Sequence, residues 1–177
     1  DWHKLYEVIF IFSSVITPLF LGIIAGSIVS GSIDSNATNF FDAYIYSWLS
    51  WFNVAVGFFT VTMCAFLASV YSIQSTNNTE DKTVLRKRAK IYTAFIFVAG
   101  GLVFVVSIWK NIPLYTWITS QVYGYIAVAL ATLSIVLLII DLNKGRDSFT
   151  KIYAASIVMM ILFAASYSHF PNLVLFK

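Results

Sequence analysis

Long apolar stretches without charge alternate with short polar segments along this chain. Five such stretches, spans A to E, cover about residues 5–31, 44–73, 91–109, 115–140 and 152–167. Each is near or above the roughly 20 residues that a helix needs to cross a hydrocarbon core of about 30 Å, with span E the shortest. No span has the polar face of a helix at a water-exposed surface. The pattern predicts an all-α integral membrane protein with about five transmembrane helices, part of a larger helical bundle.

The composition supports this class. Of the 177 residues, 59% are hydrophobic and 11% are charged, whereas about a quarter are charged in a typical soluble domain. The chain therefore has too little polar surface to coat a water-soluble globule. The single cysteine, Cys64, excludes an internal disulfide and a cluster of cysteine ligands in this sequence. We interpret Cys64 as a small packing residue within a helix.

The basic residues predict the orientation in the membrane. Lys110 and Lys177 fall on one side, and nine others fall on the opposite side: Lys4, Lys82, Arg86, Lys87, Arg88, Lys90, Lys144, Arg146 and Lys151. The positive-inside rule makes the richer side cytoplasmic. The N-terminal end is then cytoplasmic, and the segment GSIDSNATNFFDAY between spans A and B faces outward. The basic cluster at 82–90 can also be read as a nucleic-acid or anionic-lipid patch, but a topology determinant is favoured, and no nucleic-acid partner is expected.

Span A contains an unusual set of helix-breaking and small residues. Pro18 removes a backbone hydrogen bond and predicts a kink near the middle of the helix. Gly22, Gly26 and Ser30 recur every four residues and share one face, where another helix backbone can approach closely. A matching stripe of small residues runs along span B. The predicted helix-packing residues are Pro18, Gly22, Gly26, Ser30, Gly57, Cys64 and Ala68. The segment SIQSTNNTEDKT, which follows span B, predicts a polar loop.

Ionisable residues and possible metal or haem ligands are scarce within the spans. No Asp, Glu, Lys or Arg lies in the middle of any span, where transporters and pumps usually place ionisable groups. His3 and His169 lie at span ends, and the three methionines within spans are interpreted as packing residues. We therefore predict no catalytic, cofactor-binding or metal-binding residue in this sequence.

Several segments resemble a known family. The segment DWHKLYEVIFIFSSVITPLFLGIIAGSIVSG resembles the third helix of subunit II of bacterial cytochrome bd quinol oxidase, in Trp2, the pair Ser13–Ser14 and the glycines that follow. The segment WLSWFNVAVGFFTVTMCAFLASVYS is similar to the next family helix, in Trp48, Asn53 and Gly57. RKRAK, residues 86–90, resembles a basic motif of the family, and HFPNLV, residues 169–174, resembles the end of its penultimate helix.

The resemblance covers nearly the whole chain, is strongest in spans A and B, and is weak in span D. Family members have eight helices, and the first two and the last have no counterpart among spans A to E. We therefore expect this sequence to be an internal or partial chain of a longer subunit. Because the family's acidic proton-delivery residue belongs to the N-terminal part without a counterpart, no catalytic residue is transferred.

The resemblance implies a role within a complex. In this family, subunit II carries no haem and packs against subunit I, which holds haem b and haem d. The complex oxidises quinol and reduces oxygen to water in the bacterial cytoplasmic (inner) membrane, so subunit I, quinol and membrane lipid are the expected partners. Two other classes stay open: a small polytopic transporter or channel, and a membrane scaffold or assembly factor. Co-purification with a haem-bearing partner separates the first hypothesis from both.

Overall fold

The computed structural model of the chain describes residues 2–31, 39–41, 45–119 and 122–167, apart from the side chain of Trp117. These ranges contain no strand and six α-helices, numbered in chain order: α1 Trp2–Ser30, α2 Trp51–Ser75, α3 Thr79–Trp109, α4 Leu114–Thr119, α5 Val122–Lys144 and α6 Thr150–Tyr167. All except α4 are long and apolar enough to cross a membrane. The prediction of an all-α integral membrane protein with five transmembrane helices is confirmed.

The chain divides into two compact units after Val61, within α2. The described part of the first unit contains α1 and the beginning of α2. The second unit begins at Thr62 and contains the rest of α2 together with α3 to α6.

Two helices, α2 and α3, begin at polar capping residues that the hydropathy pattern did not reveal. The Ser50 hydroxyl accepts the backbone N–H of Asn53 at 3.1 Å, so α2 begins at Trp51, later than span B predicted. The Asn78 side chain accepts the N–H of Glu80 at 3.0 Å and starts α3. Caps of this kind satisfy N–H groups that have no partner within the helix. The predicted polar loop SIQSTNNTEDKT, residues 72–83, is therefore wrong for residues 72–75, which end α2, and for residues 79–83, which begin α3; the connection is only residues 76–78.

Two long helices end at glycines in the left-handed backbone region. Gly31 follows α1 with φ 62°, and Gly145 follows α5 with φ 70°. A residue without Cβ adopts this conformation at little cost, and it commonly terminates helices.

Span D differs most from its prediction. The structure divides it into the short helix α4 and the long helix α5, and Gly124 at the start of α5 lies directly against the carbonyl oxygen of Ile118. A Cβ at position 124 would overlap that oxygen. This close approach between the end of α4 and the start of α5 lies inside a continuously apolar stretch, so the hydropathy pattern could not locate it.

In the second unit, α5 and α6 form the most extensive helix pair. They run antiparallel from a short connection at 145–149, and Ser134 donates to Ser156 at 3.1 Å between them. The largest side chains of this unit's core are at most 1% exposed: Phe66, Val70, Ile73, Leu138 and Ile157.

Helix α1 is unevenly covered. Every residue from 2 to 15 is exposed, whereas Gly22, Ile23, Gly26 and Ser27 are buried. The helix continues through Pro18, and the kink at this position stays a prediction. The packing of α1 within its unit is thus confined to its second half.

Candidate functional site

Three glycines of the first unit bring α1 and α2 into backbone contact. A Cβ atom on Gly22 would lie 2.7 Å from the Gly57 Cα and would overlap the Thr60 side chain. A Cβ on Gly26 would lie 2.9 Å from the Asn53 Cα. Real Cβ atoms essentially never come so close, so only glycine fits. We call Gly22, Gly26 and Gly57 the glycine contact.

The contact is equally tight from the side of α2. A Cβ on Gly57 would lie 2.9 Å from the Leu19 carbonyl oxygen and 2.9 Å from the Ile23 side chain. Close backbone approach increases dispersion contact, which matters in lipid because the hydrophobic effect does little to drive helices together there. The structure thus brings together the three glycines that the small-residue pattern singled out.

The other predicted packing residues are placed differently. Ser30 is half-buried and donates to the Asn53 side-chain oxygen at 3.2 Å. Pro18 is also half-buried, on α1. Cys64 and Ala68 are exposed, so they do not belong to the glycine contact. Their packing role stays a prediction.

Asn53 is a fully buried polar residue beside the glycine contact. Its side-chain nitrogen donates to the carbonyl oxygens of Ser47 at 3.2 Å and Trp48 at 3.1 Å. Its side-chain oxygen accepts the Ser30 hydroxyl. Buried polar groups are stable only when they are paired, and this amide uses both ends. Asn53 therefore joins the end of α1, the turn before α2 and α2 itself. We call it the amide clasp.

The second unit contains a charged cluster at the ends of its helices. The Arg86 guanidinium donates to both carboxylate oxygens of Asp147, at 3.0 and 2.6 Å, and to the Gly145 carbonyl at 2.9 Å. This two-bonded geometry is the strong form of an ion pair. The side chains are 23% and 16% exposed. We call Arg86 and Asp147 the charged clamp, because they tie α3 to the connection between α5 and α6.

Further bonds hold the same connection. The Gln74 amide of α2 donates to the carbonyl oxygens of Asp147 and, at 3.4 Å, Ser148. The buried Thr150 hydroxyl donates to the Asp147 carbonyl at 2.8 Å. Lys151 lies over the Tyr71 ring, 5.7 Å from its centroid. The Asp147 backbone and side chain are therefore bonded to α2, α3 and α6.

The charge on Arg86 is reinforced by its partner. Arg86 precedes the apolar part of α3, which begins at Ile91, and the hydrogen bond to Asp147 raises the pKa of Arg86 above its ordinary value. The guanidinium therefore stays protonated across the whole working pH range.

The residues that the sequence offers as metal or haem ligands lie apart from the two clusters described above, or outside the described residues. No group of three or more His, Cys, Asp or Glu side chains is placed to bind a metal there. His3 is exposed on α1 and Met63 is buried on α2. His169, like the motif HFPNLV and most of the segment between α1 and α2, lies outside the described residues.

Sequence reasoning missed the roles of Asn53, Arg86 and Asp147. Asn53 enters the sequence analysis only through the family resemblance, because the bonds of its side chain to Ser47, Trp48 and Ser30 are set by the fold. Arg86 was interpreted as a topology determinant. Acidic residues at several positions offered it a partner, and choosing among them requires the fold.

These features define a multi-pass helical membrane protein whose polar residues serve helix contacts in the described ranges. The family model of cytochrome bd terminal oxidase subunit II matches residues 1–177, and the chain belongs to this family. No curated protein and no solved structure matches it. The family is one subunit of a multi-subunit, haem-containing oxidoreductase, so a partner subunit is implied.

Proposed function

We propose that this chain acts as the haem-free subunit II of a bacterial cytochrome bd-type oxidase, in which quinol oxidation is coupled to reduction of oxygen to water. The family match across residues 1–177 is the observation that carries the proposal. Subunit I supplies haem b and haem d, and this chain is not catalytic alone. Its contribution is to hold a set of helices in place beside the haem subunit.

The exposure of α1 supports a packing role. Residues 2–15 of α1 are mostly apolar, and all of them are exposed. Such a surface must be covered by lipid or by protein. A small transporter or channel would instead gather ionisable groups within its helices. The described charged clamp lies at helix ends, before the apolar part of α3 begins.

Co-purification tests the proposal. The protein is tagged and isolated from its native membranes in mild detergent, with untagged membranes as the control. We expect a second, haem-bearing membrane subunit in equal amount, b- and d-type absorbance bands, and oxygen consumption on addition of quinol. Recovery of the chain without any haem-bearing partner would favour a transporter, channel or scaffold instead.

We also propose that the chain lies in the cytoplasmic membrane with its N-terminal end in the cytoplasm, on the basis of the basic residues. Cys64→Ser removes the only thiol, and single cysteines then replace Asn77 or Asn36. A membrane-impermeant thiol reagent should label position 36 in intact cells or spheroplasts and position 77 only in inverted vesicles. The reverse labelling would overturn the orientation.

A further inference from the structure

Helix α3 is longer than a hydrocarbon core requires. It has 31 residues, or about 46 Å at a rise of 1.5 Å per residue, against a core of about 30 Å. Its apolar part, residues 91–109, accounts for about 28 Å. The charged turns before Ile91 therefore extend into the headgroup layer and the water beyond it.

Three consecutive cations in these turns have different environments. Arg86 is committed to Asp147 in the charged clamp. Lys87 and Arg88 are exposed, and among the described residues neither has a hydrogen bond or an ion pair. The sequence run RKR thus separates into one structural cation and two free ones.

The two free cations lie above an exposed apolar stripe. Residues spaced three or four apart share a helix face, and from Arg88 this spacing leads to side chains that are 49–68% exposed: Ile91, Phe95, Val98, Leu102 and Val105. The opposite face of α3 carries the buried residues Ala89, Thr93, Ile96, Val103 and Ser107. One continuous surface therefore combines a cationic end with an apolar body.

The acidic residues nearby do not neutralise this pair. Glu80 and Asp81 precede Lys87 and Arg88 by seven residues each, which is about 10 Å along the helix axis and comparable with the screening length of physiological salt. They also lie on the water side. Asp147 is occupied by Arg86, and Asp141 on α5 is half-buried.

We propose that Lys87 and Arg88 bind the phosphate headgroup of an anionic phospholipid whose acyl chains lie along the stripe from Ile91 to Val105. An anionic lipid is complementary to both parts of this surface, because it has a negative headgroup at one end and an apolar body. A basic residue at a membrane surface adds a several-fold preference for anionic over neutral lipid. The proposal requires only that the chain spans a membrane, and it does not depend on oxidase activity.

Lipid retention tests the site. The purified complex is stripped of lipid in detergent and titrated with phosphatidylglycerol or phosphatidylcholine, and bound lipid is counted by native mass spectrometry. K87Q/R88Q is compared with K4Q/K110Q, which removes the same charge from exposed positions elsewhere. We expect the wild type and K4Q/K110Q to retain phosphatidylglycerol, and K87Q/R88Q to bind it about tenfold or more weakly.

Several results would overturn the proposal. These are equal retention by K87Q/R88Q, equal binding of phosphatidylcholine by the wild type, and displacement of the lipid by millimolar inorganic phosphate, which would assign the site to a free anion. Loss of a partner subunit from K87Q/R88Q, with lipid binding unchanged, would assign the surface to protein instead. The haem content of each preparation is measured in parallel, so failure of the lipid site is distinguished from failure of the proposed oxidase role.

Discussion

The glycine contact and the charged clamp fix helices in opposite ways. In the first unit, α1 and α2 meet through residues without side chains, and a Cβ at Gly22 or Gly26 would strike the backbone of α2. In the second unit, α3 is tied to the α5–α6 connection by a two-bonded ion pair. The first contact lies within apolar helices, where a charge is expensive. The second lies at helix ends, where desolvation is incomplete and charges can be used.

The two contacts therefore differ with the polarity of the helix segments around them: the glycines lie in an uncharged stretch, and Arg86 lies in the charged turns of α3. Asn53 is the intermediate case, because it is polar, uncharged and fully buried beside the glycines. An amide is tolerated there since both its donors and its acceptor are satisfied within the first unit. Variants that add volume should damage the first unit most, and variants that remove charge should act on the second.

The largest effect is expected at the glycine contact. Gly26→Leu places a side chain where even a Cβ would be 2.9 Å from the Asn53 Cα, and overpacking of about 3 kcal/mol or more should separate the helices. We expect a several-fold lower yield of folded complex, measured by size-exclusion chromatography after solubilisation. Gly101→Leu is the matched control, because a Cβ at Gly101 meets nothing within 4 Å. Equal yields from the two variants would contradict a role of the glycine contact in packing α1 against α2.

A smaller loss is expected at the amide clasp. Asn53→Ala leaves the Ser47 and Trp48 carbonyls without their side-chain donor, at a cost of about 1–3 kcal/mol. The thermal unfolding midpoint in detergent should fall, and the turn before α2 should become accessible to protease. Asn143→Ala, on an exposed position of α5, should change neither measurement. A stable, protease-resistant Asn53→Ala protein would contradict the clasp.

The charged clamp should show a measurable coupling. Arg86→Gln and Asp147→Asn each remove a two-bonded contact, and we expect each to destabilise the second unit by about 1–2 kcal/mol. The double variant should cost little more than either single one, because the same interaction is lost. Arg88→Gln is the control, because it removes one positive charge from an exposed position near Arg86 without breaking the ion pair. Additive losses in the double variant would mean that the pair contributes nothing.

The smallest effect is expected at Gly145, where the left-handed backbone conformation, rather than a close contact between helix backbones, disfavours a side chain. Gly145 has φ 70°, and Gly145→Ala should destabilise by about 1 kcal/mol because a Cβ disfavours this conformation. The same change at Gly101, which is in the middle of α3, should be neutral or stabilising. Differential scanning fluorimetry of both variants checks the difference. A Gly145→Ala protein as stable as the wild type would show that this turn relaxes freely.

The features that could be predicted from the sequence depend on the length of apolar stretches and on the spacing of residues within one helix. Five apolar stretches specify five helices because a membrane imposes their length, and the four-residue spacing of Gly22 and Gly26 places them on one face. The features that sequence reasoning missed depend on specific side-chain and backbone contacts, which a hydropathy pattern does not specify. Arg86 and Asp147 are 61 positions apart, and several acids were equally plausible partners. The separation of α4 from α5 arises from the close approach of Gly124 to Ile118, which leaves no trace in hydropathy.

The haem content of this polypeptide distinguishes the proposed haem-free subunit from a subunit that binds haem itself. Reduced-minus-oxidised spectra and total haem are recorded at matched protein content for the chain expressed alone and for the complex purified from native membranes. We expect no haem absorbance from the chain alone. The complex should show b- and d-type bands, and His169→Ala should leave both bands unchanged. Stoichiometric haem on the isolated chain, or loss of one band in the His169→Ala complex, would contradict the proposed haem-free role.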